Sequence, residues 1–214
     1  MALIHKASLT PSKIELLAAW LPGNPWYRTA TGELARVASY RFDDPAGEVG
    51  IETFLVRAGD GPTFQVPLTY RGAPLTGAEQ WLVGTTEHSV LGTRWVYDAC
   101  GDPVYAATLA RAILADSGQA EQTMEVDGVL KVFPPSMTIT SSGVPGVEVP
   151  VVERVHRVGP GDPTIIEADG VELAVVRRLG EDLTRAGVML SGAVLSGAWA
   201  DQPEPVPLAY ASVG

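Results

Sequence analysis

Phe64, Val66 and Leu68 alternate with Gln65, Pro67 and Thr69. That is the two-residue period of a strand with one face turned inward. Val83–His88 and Thr93–Tyr97 read as two further strands, with Ser89–Gly92 as the turn between them. Upstream, Leu34–Phe42 and Val49–Arg57 form a predicted pair joined by the loop Asp43-Asp44-Pro45-Ala46-Gly47. Gly59-Asp60-Gly61-Pro62 turns the chain into the Phe64 strand. The pattern predicts an antiparallel meander. Asp98-Ala-Cys-Gly-Asp-Pro ends it, and a helix is expected from about Asp102 to Asp116. Val104, Ala107, Leu109, Ala110, Ile113 and Leu114 give that helix a broad apolar face.

Ala2–Leu9 reads as a short first strand. Thr10 and Pro11 are suited to the cap and first turn of a helix. Ile14, Leu17, Ala18 and Leu21 then recur at helical spacing. Pro22-Gly23-Asn24-Pro25 stops the helix, and Trp26-Tyr27 is expected to fold back over its end.

A boundary is expected at Gly118–Glu121, dividing the chain into 1–118 and 122–214. In the second part Val126–Thr140, Val147–Val158, Thr164–Glu167 and Val171–Arg178 read as strands separated by Pro and Gly clusters. Asp169-Gly170 is a two-residue hairpin signal. Val188–Trp199 is open between a strand pair and a packed loop. The tail, Pro203–Gly214, is expected to add an edge strand through Val206–Tyr210. The fold class is α+β: a curved antiparallel sheet packed on helices, then a mostly antiparallel β domain.

Composition narrows the functions. The chain has 214 residues, 46% hydrophobic, with a formal net charge of -10. An acidic chain repels phosphate backbones and anionic lipid, so neither nucleic acid nor membrane is expected as a partner. No apolar run approaches the roughly 18–20 residues of a membrane span, and the N-terminus lacks the apolar core of a secretory leader. Cys100 is the single cysteine, so no internal disulfide forms. These features fit a cytoplasmic protein.

Several short motifs occur in order: Trp20-Leu21-Pro22 with Trp26-Tyr27, Gln65-Val66-Pro67-Leu68-Thr69-Tyr70-Arg71 with Pro74-Leu75, and Tyr97-Asp98 with Asp102-Pro103. This series resembles the N-terminal cap region of actinobacterial maltokinases and related aminosugar kinases, over roughly residues 1–116. The resemblance implies a cystatin-like fold, a curved antiparallel sheet on a helix. In that family the cap precedes a kinase body that transfers the γ-phosphate of ATP to a sugar, and this chain is too short to hold one. The second half is open between a kinase N-lobe-like intermediate subdomain and an unrelated β domain. Ser141-Ser142-Gly143-Val144-Pro145-Gly146 does not match the family's phosphate-contacting motif. Leu173-Ala174-Val175-Val176-Arg177-Arg178-Leu179 resembles its lysine strand, but Ala174 stands at the lysine position. The catalytic aspartate motif and the magnesium motif have no counterpart.

The chemical candidates each have a plainer alternative. His5, His88 and His156 are the only histidines, and their spacing matches no metal motif. They read first as solvent-facing strand residues. Cys100 sits beside Asp98 and Asp102, whose charges disfavour a thiolate. Asp98 and Asp102 fit an acid/base pair, or caps at a turn that opens a helix; capping is the stronger reading. Trp20, Trp26, Trp81 and Trp95 fit core packing, or a sugar-stacking platform. The glycine clusters fit turns, and none has a phosphate-loop pattern. Candidate ligand or interface residues are Trp26, Tyr27, Arg71, His88, Asp98 and Asp102. No cofactor or metal is expected. The leading expectation is a non-enzymatic accessory or interaction protein linked to glucan or trehalose metabolism, with a protein partner. The second is a module holding a small carbohydrate or a nucleotide between its two halves. The third is an enzyme built on Asp98, Asp102 and His88.

Overall fold

The computed structural model describes residues 2–4, 8–27, 31–126, 129–180 and 191–214. His5 and the first residues of the Val188–Trp199 segment lie outside them. The elements run β1 (Ala2–Ile4), β2 (Leu9–Thr10), α1 (Lys13–Trp20), β3 (Leu34–Phe42), β4 (Gly50–Ala58), β5 (Phe64–Arg71), β6 (Leu82–His88), β7 (Gly92–Asp98) and α2 (Pro103–Leu114). The second part adds β8 (Gln122–Val126), β9 (Val129–Phe133), β10 (Met137–Ser141), β11 (Val155–Gly159), β12 (Thr164–Ala168), β13 (Val171–Val175), β14 (Ala193–Trp199) and β15 (Gln202–Val213).

The first sheet has the order β2-β6-β7-β5-β4-β3, and all its pairs are antiparallel. It departs from the expected meander at one point. β7 lies between β5 and β6, so the chain leaves β5 for the outer position and returns beside it. The second sheet, β10-β14-β15-β13-β12-β11, is also antiparallel throughout. A small third sheet, β1-β8-β9, contains the one parallel pair among the described residues, β1 with β8. Strand outweighs helix, 47% to 17%.

Both faces of the first sheet are covered, and the strand alternation sorts side chains between them. On one face Phe54, Val56, Phe64, Val66 and Leu68 pack against Leu16, Leu17 and Leu21 of α1 and its following turn. On the other, Tyr40, Phe42, Ile51 and Leu55 meet Tyr105, Leu109 and Ile113 of α2 and Ile166, Leu173 and Leu208 of the second sheet. Helix α2 therefore sits between the sheets, which explains its broad apolar face.

Four expectations are corrected. Helix α1 is capped by Ser12, not Thr10: Ser12 Oγ accepts from the Glu15 N–H, and Glu15 Oε2 accepts from the Ser12 N–H at 2.7 Å. This reciprocal box satisfies two otherwise orphaned donors, while Thr10 pairs with Glu87 in the sheet. The tail is no edge strand, since β15 runs between β14 and β13 at the centre of the second sheet. The Val126–Thr140 stretch is divided: β8 and β9 pair with each other in the small sheet, and β10 joins a different one. Only the last part of Val147–Val158 enters a strand, β11. The Asp169-Gly170 hairpin forms as expected, with Gly170 at φ 65°.

Candidate functional site

The end of β7 and the start of α2 carry two carboxylates, and each is committed to an arginine. Asp98 closes β7 and accepts the Cys100 N–H at 3.2 Å, capping the 3-10 turn that follows. Its two carboxylate oxygens accept from Arg177 Nη2 at 2.7 and 3.0 Å. Both residues are almost completely enclosed, with 2% and 1% exposure. Arg177 Nε donates to Thr164 Oγ1 at 2.8 Å, and the guanidinium carbon lies 4.8 Å from the ring centre of Trp26. Burial alone would lower the Arg177 pKa, but the adjacent Asp98 reverses this and raises it. Nη2 also approaches Cys100 Sγ at 3.1 Å. Burial pushes the Cys100 thiol well above its ordinary value; Arg177 opposes that shift and Asp98 adds to it. An activated nucleophile needs the opposite.

Asp102 is the N-cap of α2, accepting the Val104 N–H at 3.0 Å. Its carboxylate also accepts from Arg71 Nε and Nη2, each at 2.7 Å, and from Thr69 Oγ1 at 2.8 Å. The bidentate geometry is the strong form of the arginine–carboxylate pair, and it raises the Arg71 pKa. Around it, Trp95 stands opposite Arg71 in the β5–β7 ladder. Trp81 lies so close to Gly101 that an added Cβ would fall 2.2 Å from its ring. Tyr97 Oη accepts the Leu75 N–H at 2.9 Å.

His88 is elsewhere. It pairs with Gly92 at the turn end of the β6–β7 hairpin, while Asp98 is six residues along β7, about 20 Å at strand rise. Its Nδ1 accepts the Val90 and Leu91 N–H groups at 3.2 and 3.1 Å, fixing the turn. An acid/base neighbourhood of Asp98, Asp102 and His88 is therefore not assembled. His156 lies on the surface of β11 with its Nε2 2.7 Å from Asp169 Oδ1. Nor do the four tryptophans form one platform. Trp26 packs edge-on against Trp20 at 6.0 Å, and Tyr27 lies against Phe64 at 4.8 Å with the rings tilted, in the cluster beneath α1. Trp81 and Trp95 belong to the Asp102 neighbourhood.

The seam between the two parts is filled by protein. Gln65, with no exposure, accepts from Tyr40 Oη at 3.0 Å and donates to the Val176 and Leu208 carbonyls at 2.9 and 2.8 Å. A third buried carboxylate lies under α1: Lys13 Nζ donates to Glu52, which Arg41 also approaches at 3.8 Å. Burial raises the Glu52 pKa, but Lys13 and Arg41 outweigh it and hold the carboxyl below the usual range. Sequence reasoning missed Arg177 and Glu52. The one available signal for Arg177 was a pair of arginines directly after the apolar run Leu173–Val176. Among the described residues no group of three or more His, Cys, Asp or Glu could hold a metal, and no helix is long and apolar enough to cross a membrane.

The architecture is that of an α+β protein of mostly antiparallel sheets, with α2 between the two larger ones. Residues 20–102 match the family model of the maltokinase N-terminal cap domain, so this stretch is related to that cap. The match takes in Trp26, Tyr27, Arg71, His88, Asp98 and Asp102, and stops at the N-cap of α2. No curated protein matches the chain.

Proposed function

We propose that this chain is a non-catalytic accessory or interaction protein, derived from the maltokinase cap and serving glucan or trehalose metabolism through a protein partner in the cytoplasm. The observation that carries this reading is the commitment of both candidate carboxylates. Asp98 and Asp102 are buried, each pairs with an arginine, and each caps a helical turn. A general acid or base must reach its substrate proton, and neither carboxylate has a free face for one. The curled sheet with α1 across one face supports a cystatin-like cap. We read 1–118 as that cap and 122–214 as its β partner domain.

A second reading, a carbohydrate-binding module, is favoured by one feature: Trp95 is half-buried opposite Arg71, and Trp81 is half-buried against Gly101, next to the Asp102 that Arg71 pairs with, an aromatic and cationic combination suited to a sugar. Calorimetric titration with maltose, trehalose, glucose, glucosamine and Mg-ATP separates the two. The accessory reading predicts no heat across the panel. Saturable heat with a sugar, abolished by Trp95→Ala, supports the binding module instead.

A further inference from the structure

We propose that the cap-related segment does not form a self-sufficient folding unit in this protein: residues 122–214 complete its interior, and Arg177 is the counter-charge that makes the burial of Asp98 tolerable. Asp98 belongs to the matched segment 20–102, and Arg177 lies 79 positions later in the second sheet's connecting chain. A carboxylate with 2% exposure and no cation would face an uncompensated desolvation penalty. In the described structure the guanidinium of Arg177 is the one that meets it.

The dependence is not confined to one pair. The Gln65 N–H donates to the Arg177 carbonyl at 2.7 Å, and the Leu179 N–H to the Thr63 carbonyl at 2.8 Å. Phe64 and Arg178 form an isolated antiparallel bridge, which extends the β5 ladder into the second part. Gln65 also spends both amide donors on carbonyls of the second part. At the other end of the seam, Ser136 Oγ accepts the Ser39 N–H and donates to the Ser39 carbonyl, stitching the approach to β10 onto β3. Gly143 lies against the end of α2, where an added Cβ would fall 2.0 Å from the Ile113 carbonyl oxygen. Removing residues 122–214 would strip from the Tyr40, Phe42, Ile51, Leu55 and α2 cluster its second-sheet members Ile166, Leu173 and Leu208, and leave buried polar groups without partners at once. The two parts are one cooperative unit, and any ligand or partner must be met on their outside.

The test is hydrogen exchange by mass spectrometry on the full chain across a urea series, comparing peptides from β5 and β7 with peptides from β13 and β15. The proposal expects one global opening, with coincident midpoints in both sheets. It also expects Arg177→Met to lower the folding equilibrium constant seen by both sheets, by on the order of a hundred- to a thousand-fold. Adding Asp98→Asn to Arg177→Met should recover part of that loss, because the stranded charge is removed. If Arg177→Met does not fold, Thr164→Val, which removes the Nε acceptor, gives a milder version of the same comparison. Loss of protection in the second sheet while β5 and β7 stay closed overturns the proposal, as does an Arg177 variant that affects the second sheet alone.

Discussion

Replacing Asp102 tests whether the carboxylate at the head of α2 is structural. Asp102→Ala removes three interactions together. The N-cap to Val104 is worth about 1 kcal/mol. Thr69 Oγ1, in a residue with no exposed surface, loses its acceptor at a cost of roughly 1–3 kcal/mol. Arg71 loses a bidentate partner; breaking a fully buried pair costs roughly 3–5 kcal/mol, but this side chain is 19% exposed and can turn toward water, so about 2 kcal/mol is the fair figure. The combined expectation is about 4–6 kcal/mol for Asp102→Ala. Asp102→Asn keeps one acceptor oxygen, for the Val104 cap or for Thr69 but not both, since these use different carboxylate oxygens, and it loses the charge, so it should cost about 2–3 kcal/mol. The assay is equilibrium urea unfolding, read as a shift of midpoint at unchanged slope. An Asp102→Ala variant within about 1 kcal/mol of wild type would refute the reasoning and return Asp102 to the list of reactive candidates.

Other consequences are equally direct. The folded pKa of Glu52 lies below its unfolded value, so its pairing stabilises the protein above the unfolded carboxyl pKa and is lost as pH falls through the folded one. The stability gap between wild type and Glu52→Gln should be full at pH 7 and shrink progressively below about pH 4, measured by denaturant titration at each pH. Gly143→Ala should destabilise by about 2 kcal/mol or more, because its Cβ meets backbone carbonyls that cannot rotate away; an unchanged melting temperature would argue against this seam. Cys100 should resist a thiol reagent in the native protein at pH 8 and react fully in denaturant, since the thiol is buried and its pKa is raised; rapid native labelling would contradict that placement.

Much of the first sheet was legible because its signals are local. The expected strand Leu34–Phe42 matches β3 at both ends, alternation placed the start of β5 at Phe64, and the Asp-Pro step marked the start of α2. The resemblance over the Trp20-to-Asp102 motifs agrees with the matched cap segment. The misses have physical reasons. Ser12-x-x-Glu15 was a readable capping box, but the Thr-Pro pair just before it offered a competing start. The tail was expected as an edge strand, and Pro203, Pro205 and Pro207, which lack ladder donors, are compatible with an edge. Those prolines fall in the half of the strand that pairs with β14 alone, while the stretch from Ala209 onward carries β13 on its other side. The Asp98–Arg177 pair could not be read at all. Its partners are 79 positions apart, and only the stacking of the two sheets brings them together.

The central claim is that Asp98 and Asp102 hold the fold and that the chain transfers no phosphate. Incubation of the purified protein with Mg-ATP and maltose, trehalose, glucose or glucosamine, followed by mass spectrometry of the sugars, tests it most directly. The account predicts no phosphorylated sugar above the protein-free control. A phosphorylated product whose formation is lost in a folded Asp98→Asn or Asp102→Asn variant would contradict it.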